Sequence, residues 1–167
     1  MADLAEILLV EHLAIRHISK TFTNPKDLEP FVEFHTYLKE CHIEIEEKLL
    51  FPLLEAHYWD DSGEFNAKAN RILADHRLID TLSRNIINWH SSGDLELVTD
   101  RYPLYFKLLH DHNKREEESV FPRWSDLPQD EIKDTVKEAK SIIESFGTGK
   151  YLEMTGLTEH GFYYLFR

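Results

Sequence analysis

"CHIEIEEKLLFP" (residues 41–52) and "DHNKREEESVFP" (residues 111–122) decide how this chain is read. Each looks like a helix whose inner face should be apolar, yet His42 and Glu46 stand where leucines belong, and His112 and Glu116 repeat them seventy residues later. Phe51-Pro52 and Phe121-Pro122 complete the parallel. Residues i and i+4 of an α-helix are about 400° apart in turn, hence about 40° and about 6 Å apart on the surface, so each His–Glu pair shares a face. That face points inward, because Leu38, Ile45 and Leu49 lie on it in the first copy and Leu108, Leu109 and Val120 flank it in the second. Glu47 and Glu117, one residue further, are rotated about 140° from the histidine and are expected to be solvated or to hydrogen-bond at the rim.

The other two long helical stretches each add one inward histidine. His12, in "EHLAI", lies on the stripe of Leu8 and Ile15; His76, in "DHRLI", lies on that of Leu73 and Ile79. The chain thus reads as two copies of one unit, a helix with acid-His-x-x-Ile followed by a helix with His-x-x-x-Glu and Phe-Pro. A lone inward histidine is more often a hydrogen-bonded core residue than a ligand. Four imidazoles and two carboxylates in one core are a different matter, since each unpaired ion would cost several kcal/mol. A metal ion neutralises them directly. The set holds nitrogen and oxygen but no thiolate, which suits iron or manganese, and paired carboxylates can bridge two metals; zinc fits less well.

Around these segments the organisation is all helical. Leu4, Leu8, Ile15, Ile18 and Phe22 mark a first helix, opened by "DLAE" as a capping box and stopped by "TNP" at residues 23–25. A second starts near Asp27 and is bent or ended by Pro52, with a turn or two beyond it. The third follows "DDSGE", where Asp61 and Glu64 are placed to form a capping box, and runs to "HSSGD". The fourth is entered between Asp94 and Pro103 and stops at Pro122. Residues 1–125 are therefore expected to form an up-down four-helix bundle. Residues 126–167 supply an extra amphipathic helix, with Ile132, Val136, Ala139, Ile143 and Phe146 on one face and Gly147 at its end. The aromatic tail "KYLEMTGLTEHGFYYLFR" is either docked on the bundle or a contact for a protein partner or a second copy. No period-2 apolar alternation supports a strand.

The 167 residues suffice for one domain with a sizeable core. A net charge of −12 repels phosphate backbones and anionic lipid, so neither nucleic acid nor a membrane surface is an expected partner. "MADLAEILLVEHLAIRH" lacks the basic start of a signal peptide, and no apolar run approaches the roughly 20 residues of a membrane span; a cytoplasmic protein is expected. One cysteine, Cys41, allows no internal disulfide and no multi-thiolate metal site.

With its early "EH", its "CHIEIEEKLLFP", its mid-chain "DH" and its "HNKREEESVFP", the sequence resembles the hemerythrin-like, or HHE cation-binding, domain family over residues 1 to about 125. The resemblance implies a four-helix bundle around a non-haem di-iron centre. His12 and His42 would hold one iron (Fe2+/Fe3+), His76 and His112 the other, with Glu46, Glu116 and an oxo or hydroxo group as bridges. Oxygen-carrying members place a second histidine four residues after the first on the third helix, where this chain has Asp80; they also space the carboxylate of the fourth helix five residues from its histidine rather than four. The pattern is closer to members that handle O2, NO, peroxide or iron itself. The expected function is binding of such a small molecule for sensing, storage or detoxification, the alternative a di-iron enzyme that removes peroxide or NO or repairs iron–sulfur clusters. Asp80 is expected either as an extra ligand or just outside the iron, holding a water or a histidine. His35 and Tyr105, seven residues before His42 and His112, lie about 10 Å away along the axis, too far for the same iron. They are either a polar core pair or a gate or proton-transfer pair beside the pocket.

Overall fold

The computed structural model describes residues 2–58 and 63–167. All regular structure among them is helical. Helix α1 (Leu4–Ile18) begins at Asp3, whose side chain accepts from the Glu6 N–H at 2.9 Å while the Glu6 carboxylate accepts from the Asp3 N–H at 3.0 Å. This is the capping box of "DLAE". Helix α2 covers residues 29–57 and runs through Pro52, whose preceding turn is already wide. Two stretches of it, Leu38–His42 and Glu46–Leu50, are π-helical: Ile43 N–H donates to the Leu38 carbonyl and Phe51 N–H to that of Glu46, five residues back. Helix α3 (Glu64–Ser91) starts after Gly63, which takes a left-handed φ of 66°. The capping box expected from Asp61 lies outside the described residues. Helix α4 (Leu95–Ser119) is capped by Asp94 and carries Pro103 inside it, at an exposed position where the freed carbonyl of the preceding turn meets water.

Side-chain partners give the topology. Glu11 meets His42 and Phe22 meets Phe34, so α1 and α2 are antiparallel. His35 meets Asp80 and His76 meets Glu47, which sets α3 antiparallel to α2. Glu117 meets His12 and Phe106 meets Phe22, which sets α4 antiparallel to α1. Between α2 and α4, Phe31 faces Tyr102 and His35 faces Tyr105, so these two are parallel. The result is an up-down bundle with the two copies of the sequence repeat facing each other. One end of its core is an aromatic plug in which Phe31, Tyr105 and Phe106 stack edge to face around Phe22 and Phe34. Burial of that apolar surface, at about 25 cal/mol per Å², is the main stabilising term, and the polar cluster described below sits further along the same core.

Beyond the bundle, the expected single amphipathic helix is divided. A short turn at Gln129–Ile132 is followed by α5 (Thr135–Phe146), which buries Ala139 and Ile143 against α1 and α2. Gly147, at φ 119°, permits an abrupt change of direction into α6 (Thr148–Thr155), and α7 (Glu159–Leu165) follows. Helix α6 packs across α1 and α2. Tyr151, Phe162 and Phe166 of the tail are buried together, whereas Tyr163 and Tyr164 are exposed. Of the two readings of the aromatic tail, docking describes Tyr151 and its two phenylalanine neighbours.

Candidate metal centre

Four helices deliver one imidazole each to the middle of the core, and α2 and α4 add one carboxylate each. His12, His42, Glu46, His76, His112 and Glu116 are all at most 3 % exposed. Glu46 reaches both sides of the cluster: its Oε1 lies 3.1 Å from His42 Nε2 and 3.7 Å from His12 Nε2, its Oε2 3.2 Å from His76 Nε2. Glu116 Oε2 lies 3.4 Å from His12 Nε2 and 3.3 Å from His112 Nε2. Two groups of atoms close enough together to hold a metal ion result, Glu46 with His76, His112 and Glu116, and His12 with His42 and Glu46. Glu46 belongs to both. The π-helical turns flank the segment between His42 and Glu46, so the local widening of α2 falls where its side chains must meet three other helices; such turns are frequent at functional sites.

Behind the cluster a second set of carboxylates runs round the bundle in order. Glu11 of α1 lies 2.6 Å from Nδ1 of His42 on α2, Glu47 of α2 lies 2.8 Å from Nδ1 of His76 on α3, and Glu117 of α4 lies 2.9 Å from Nδ1 of His12 on α1. The fourth contact is longer: Asp75 of α3 lies 3.7 Å from Nδ1 of His112 on α4 and is paired with Arg115. An ionised carboxylate only accepts, so the three close contacts fix the hydrogen on Nδ1 and turn Nε2 toward the centre. Phe121 stacks on the His12 ring and Phe51 meets that of His76 edge-on, which gives both Phe-Pro pairs a place beside an imidazole.

The electrostatics of the cluster call for positive charge. Burial lowers the pKa of His12, but the carboxylates of Glu116, Glu117 and Glu46 outweigh it and raise the value to about 9. For His76 burial is likewise overcome, by Glu46, Glu47 and Glu116, and the value is again about 9. His42 is raised well above the ordinary range, Glu46 and Glu11 prevailing over burial. Burial pushes Glu46 up, yet His42, His12 and His76 hold it well below the usual carboxylate range. Even so, His12 Nε2, His42 Nε2 and all four oxygens of Glu46 and Glu116 are buried without a hydrogen bond. His76 Nε2 faces His112 Nε2 at 3.1 Å. Such convergent, unpartnered nitrogen and oxygen atoms match what a hard or borderline cation requires.

The other residues singled out in the sequence lie around the cluster. Asp80 is not among the clustered atoms; it bonds Lys39 at 3.1 Å, Arg84 at 3.0 Å and His35 Nε2 at 3.3 Å. His35 Nδ1 meets the Tyr105 hydroxyl at 2.9 Å, so Asp80, His35 and Tyr105 form one polar chain. Glu47 and Glu117 sit at the rim and, of the two expected outcomes, take the hydrogen-bonded one, with the rings of His76 and His12 as partners. Helical periodicity assigns no part to Glu11 and Asp75, although both stand directly before a histidine in the two copies of the repeat. A cavity of about 230 Å³, lined by His35, Lys39, Glu47, His76 and Asp80 among others, leads from the surface between α2 and α3 to the rim of the cluster.

Helical bundle and buried histidine–carboxylate cluster together define a cation-binding class of protein. Residues 3–124 match the family described as hemerythrin HHE cation binding domain, and the chain belongs to that family. The match spans all four bundle helices and leaves out α5, α6 and α7. Neither a curated protein nor a solved structure matches the chain. Among the described residues no helix is long and apolar enough to cross a membrane.

Proposed function

We propose that the chain is a non-haem di-iron protein that binds O2 or a related small molecule, NO or peroxide, for sensing, storage or detoxification. His12 and His42 would hold one iron, His76 and His112 the other, with the carboxylates of Glu46 and Glu116 between them. The observation that carries this reading is the convergence of His12 Nε2, His42 Nε2 and the four oxygens of Glu46 and Glu116 as buried atoms without hydrogen-bond partners. The iron pair would supply Lewis acidity and electrons. The chain's own part is to orient the rings through Glu11, Glu47 and Glu117, to keep bulk water out with Phe51 and Phe121, and to leave an approach beside His35 and Asp80. Glu46 favours two ions over one, because its oxygens face different histidines. The visible spectrum of the purified protein tests the proposal: bands of an oxidised iron pair should bleach on reduction and return or change on exposure to air or NO. A protein colourless in every state after growth with ample iron would contradict it.

A further inference from the structure

The tail outside the family match touches the cluster at one point. Tyr151 of α6 is fully buried, and its hydroxyl donates to Glu11 Oε1 at 2.8 Å. The other oxygen of Glu11 accepts from His42 Nδ1 at 2.6 Å, and His42 Nε2 faces Glu46 Oε1 at 3.1 Å. A continuous chain of polar contacts therefore joins residue 151 to the middle of the bundle. The three other carboxylates behind histidines are held differently. Asp75 and Glu117 each bind an arginine, Arg115 and Arg16, and the Glu47 side chain is 46 % exposed. Glu11 is fully buried, and a neutral phenol rather than a cation completes its coordination.

We propose that Tyr151 is a positioning residue of the metal centre, so that the C-terminal helices α6 and α7 are a working part of it and make the two metal positions unequal. This rests on the metal-binding reading above. A carboxylate tied at both oxygens cannot swing away from the ring it orients, and outer partners of this kind commonly change metal affinity about 10–100-fold when removed. The position held by His42 is locked from the tail, while that held by His112 has only the long 3.7 Å contact from Asp75.

Tyr151→Phe removes the hydroxyl and keeps the ring. In the iron-loaded protein, release to a strong chelator should be biphasic, and in Tyr151→Phe the slower phase should become about tenfold faster while the faster phase keeps its unmodified rate. The ring N–H resonance of His42 should shift in a zinc-loaded sample, while those of His12 and His76 stay in place. Phe162→Leu is the control: it loosens the packing around Tyr151 without removing the hydroxyl, so it should lower the melting temperature and leave both readouts unchanged. A third measurement needs no variant. In heavy water the His42 ring N–H of the zinc-loaded protein should exchange more slowly than that of His76, whose partner Glu47 is half exposed. Unchanged release in Tyr151→Phe, equal acceleration by Phe162→Leu, or faster exchange at His42 than at His76 would each overturn the role of Tyr151. If the unmodified protein takes up neither iron nor zinc, it is the metal-binding reading that fails, and this inference with it.

Discussion

Oε1 of Glu117 lies 2.9 Å from Nδ1 of His12, so the second glutamate of the Glu116-Glu117 pair sets the orientation of a histidine on a different helix. Glu47 stands in the same relation to His76. Each pair thus divides its labour: the first carboxylate turns inward among the imidazole Nε2 atoms, and the second turns back along the rim to hold a ring from behind. Replacing Glu46 or Glu116 with Gln should abolish binding of at least one metal. Replacing Glu47 or Glu117 should leave both metals bound but about 10–100-fold more weakly. Metal content after dialysis against graded chelator separates the two pairs, and equal retention in all four variants would refute the division.

Acid–base behaviour gives a second expectation. Without metal, His12 and His76 carry pKa values of about 9, above the ordinary 6.5, and are protonated at neutral pH. A metal must displace those protons to reach Nε2, so uptake at pH 7 should release protons and affinity should rise with pH up to about 9. The same shifts act on folding. A histidine whose folded pKa is raised stabilises the metal-free fold fully below about 6.5 and ceases to do so as pH rises through about 9. The melting temperature of the metal-free protein should therefore fall between pH 6.5 and 9. Calorimetric titration in buffers of different ionisation enthalpy counts the protons, and uptake without proton release would contradict the cluster's electrostatics.

Asp80 provides a third. It is tied to Lys39, Arg84 and His35. Burial lowers the pKa of His35, and Asp80 is the group that opposes the fall. Asp80→Asn should therefore lower the His35 pKa further while leaving metal content unchanged. Proton NMR titration of the His35 ring checks the first part and elemental analysis the second. Loss of a metal in this variant would instead place Asp80 among the ligands.

How much of this was legible beforehand follows from where each signal lives. Inward direction is a one-dimensional property of a helix, so His12, His42, Glu46, His76, His112 and Glu116 could be placed on one interior from apolar spacing alone, and the structure brings them together. Pairing between helices is not written in periodicity. Nothing in "EH" says that Glu11 holds His42 rather than solvent, and nothing in the tail says that Tyr151 comes back across 140 residues to meet Glu11. The doubled acid-His at residues 11–12 and 75–76 was the available clue, and it becomes meaningful only once the helices are arranged in a ring. The first wide turn of α2 has no mark in the sequence either, since neither proline nor glycine stands in Leu38–His42. The fourth helix starts at the near end of the expected span between Asp94 and Pro103, and the exposed position of Pro103 lets α4 pass through it.

The central claim is a bundle whose interior holds two metal ions between four imidazoles and two bridging carboxylates. Elemental analysis of the purified, chelator-washed protein, set against protein concentration from amino-acid analysis, tests it most directly. The account predicts about two iron atoms per chain, falling to about one or none when Glu46 is replaced by Gln, because that carboxylate belongs to both groups of ligating atoms. Stoichiometric zinc, or no metal at all after expression with ample iron, would contradict it.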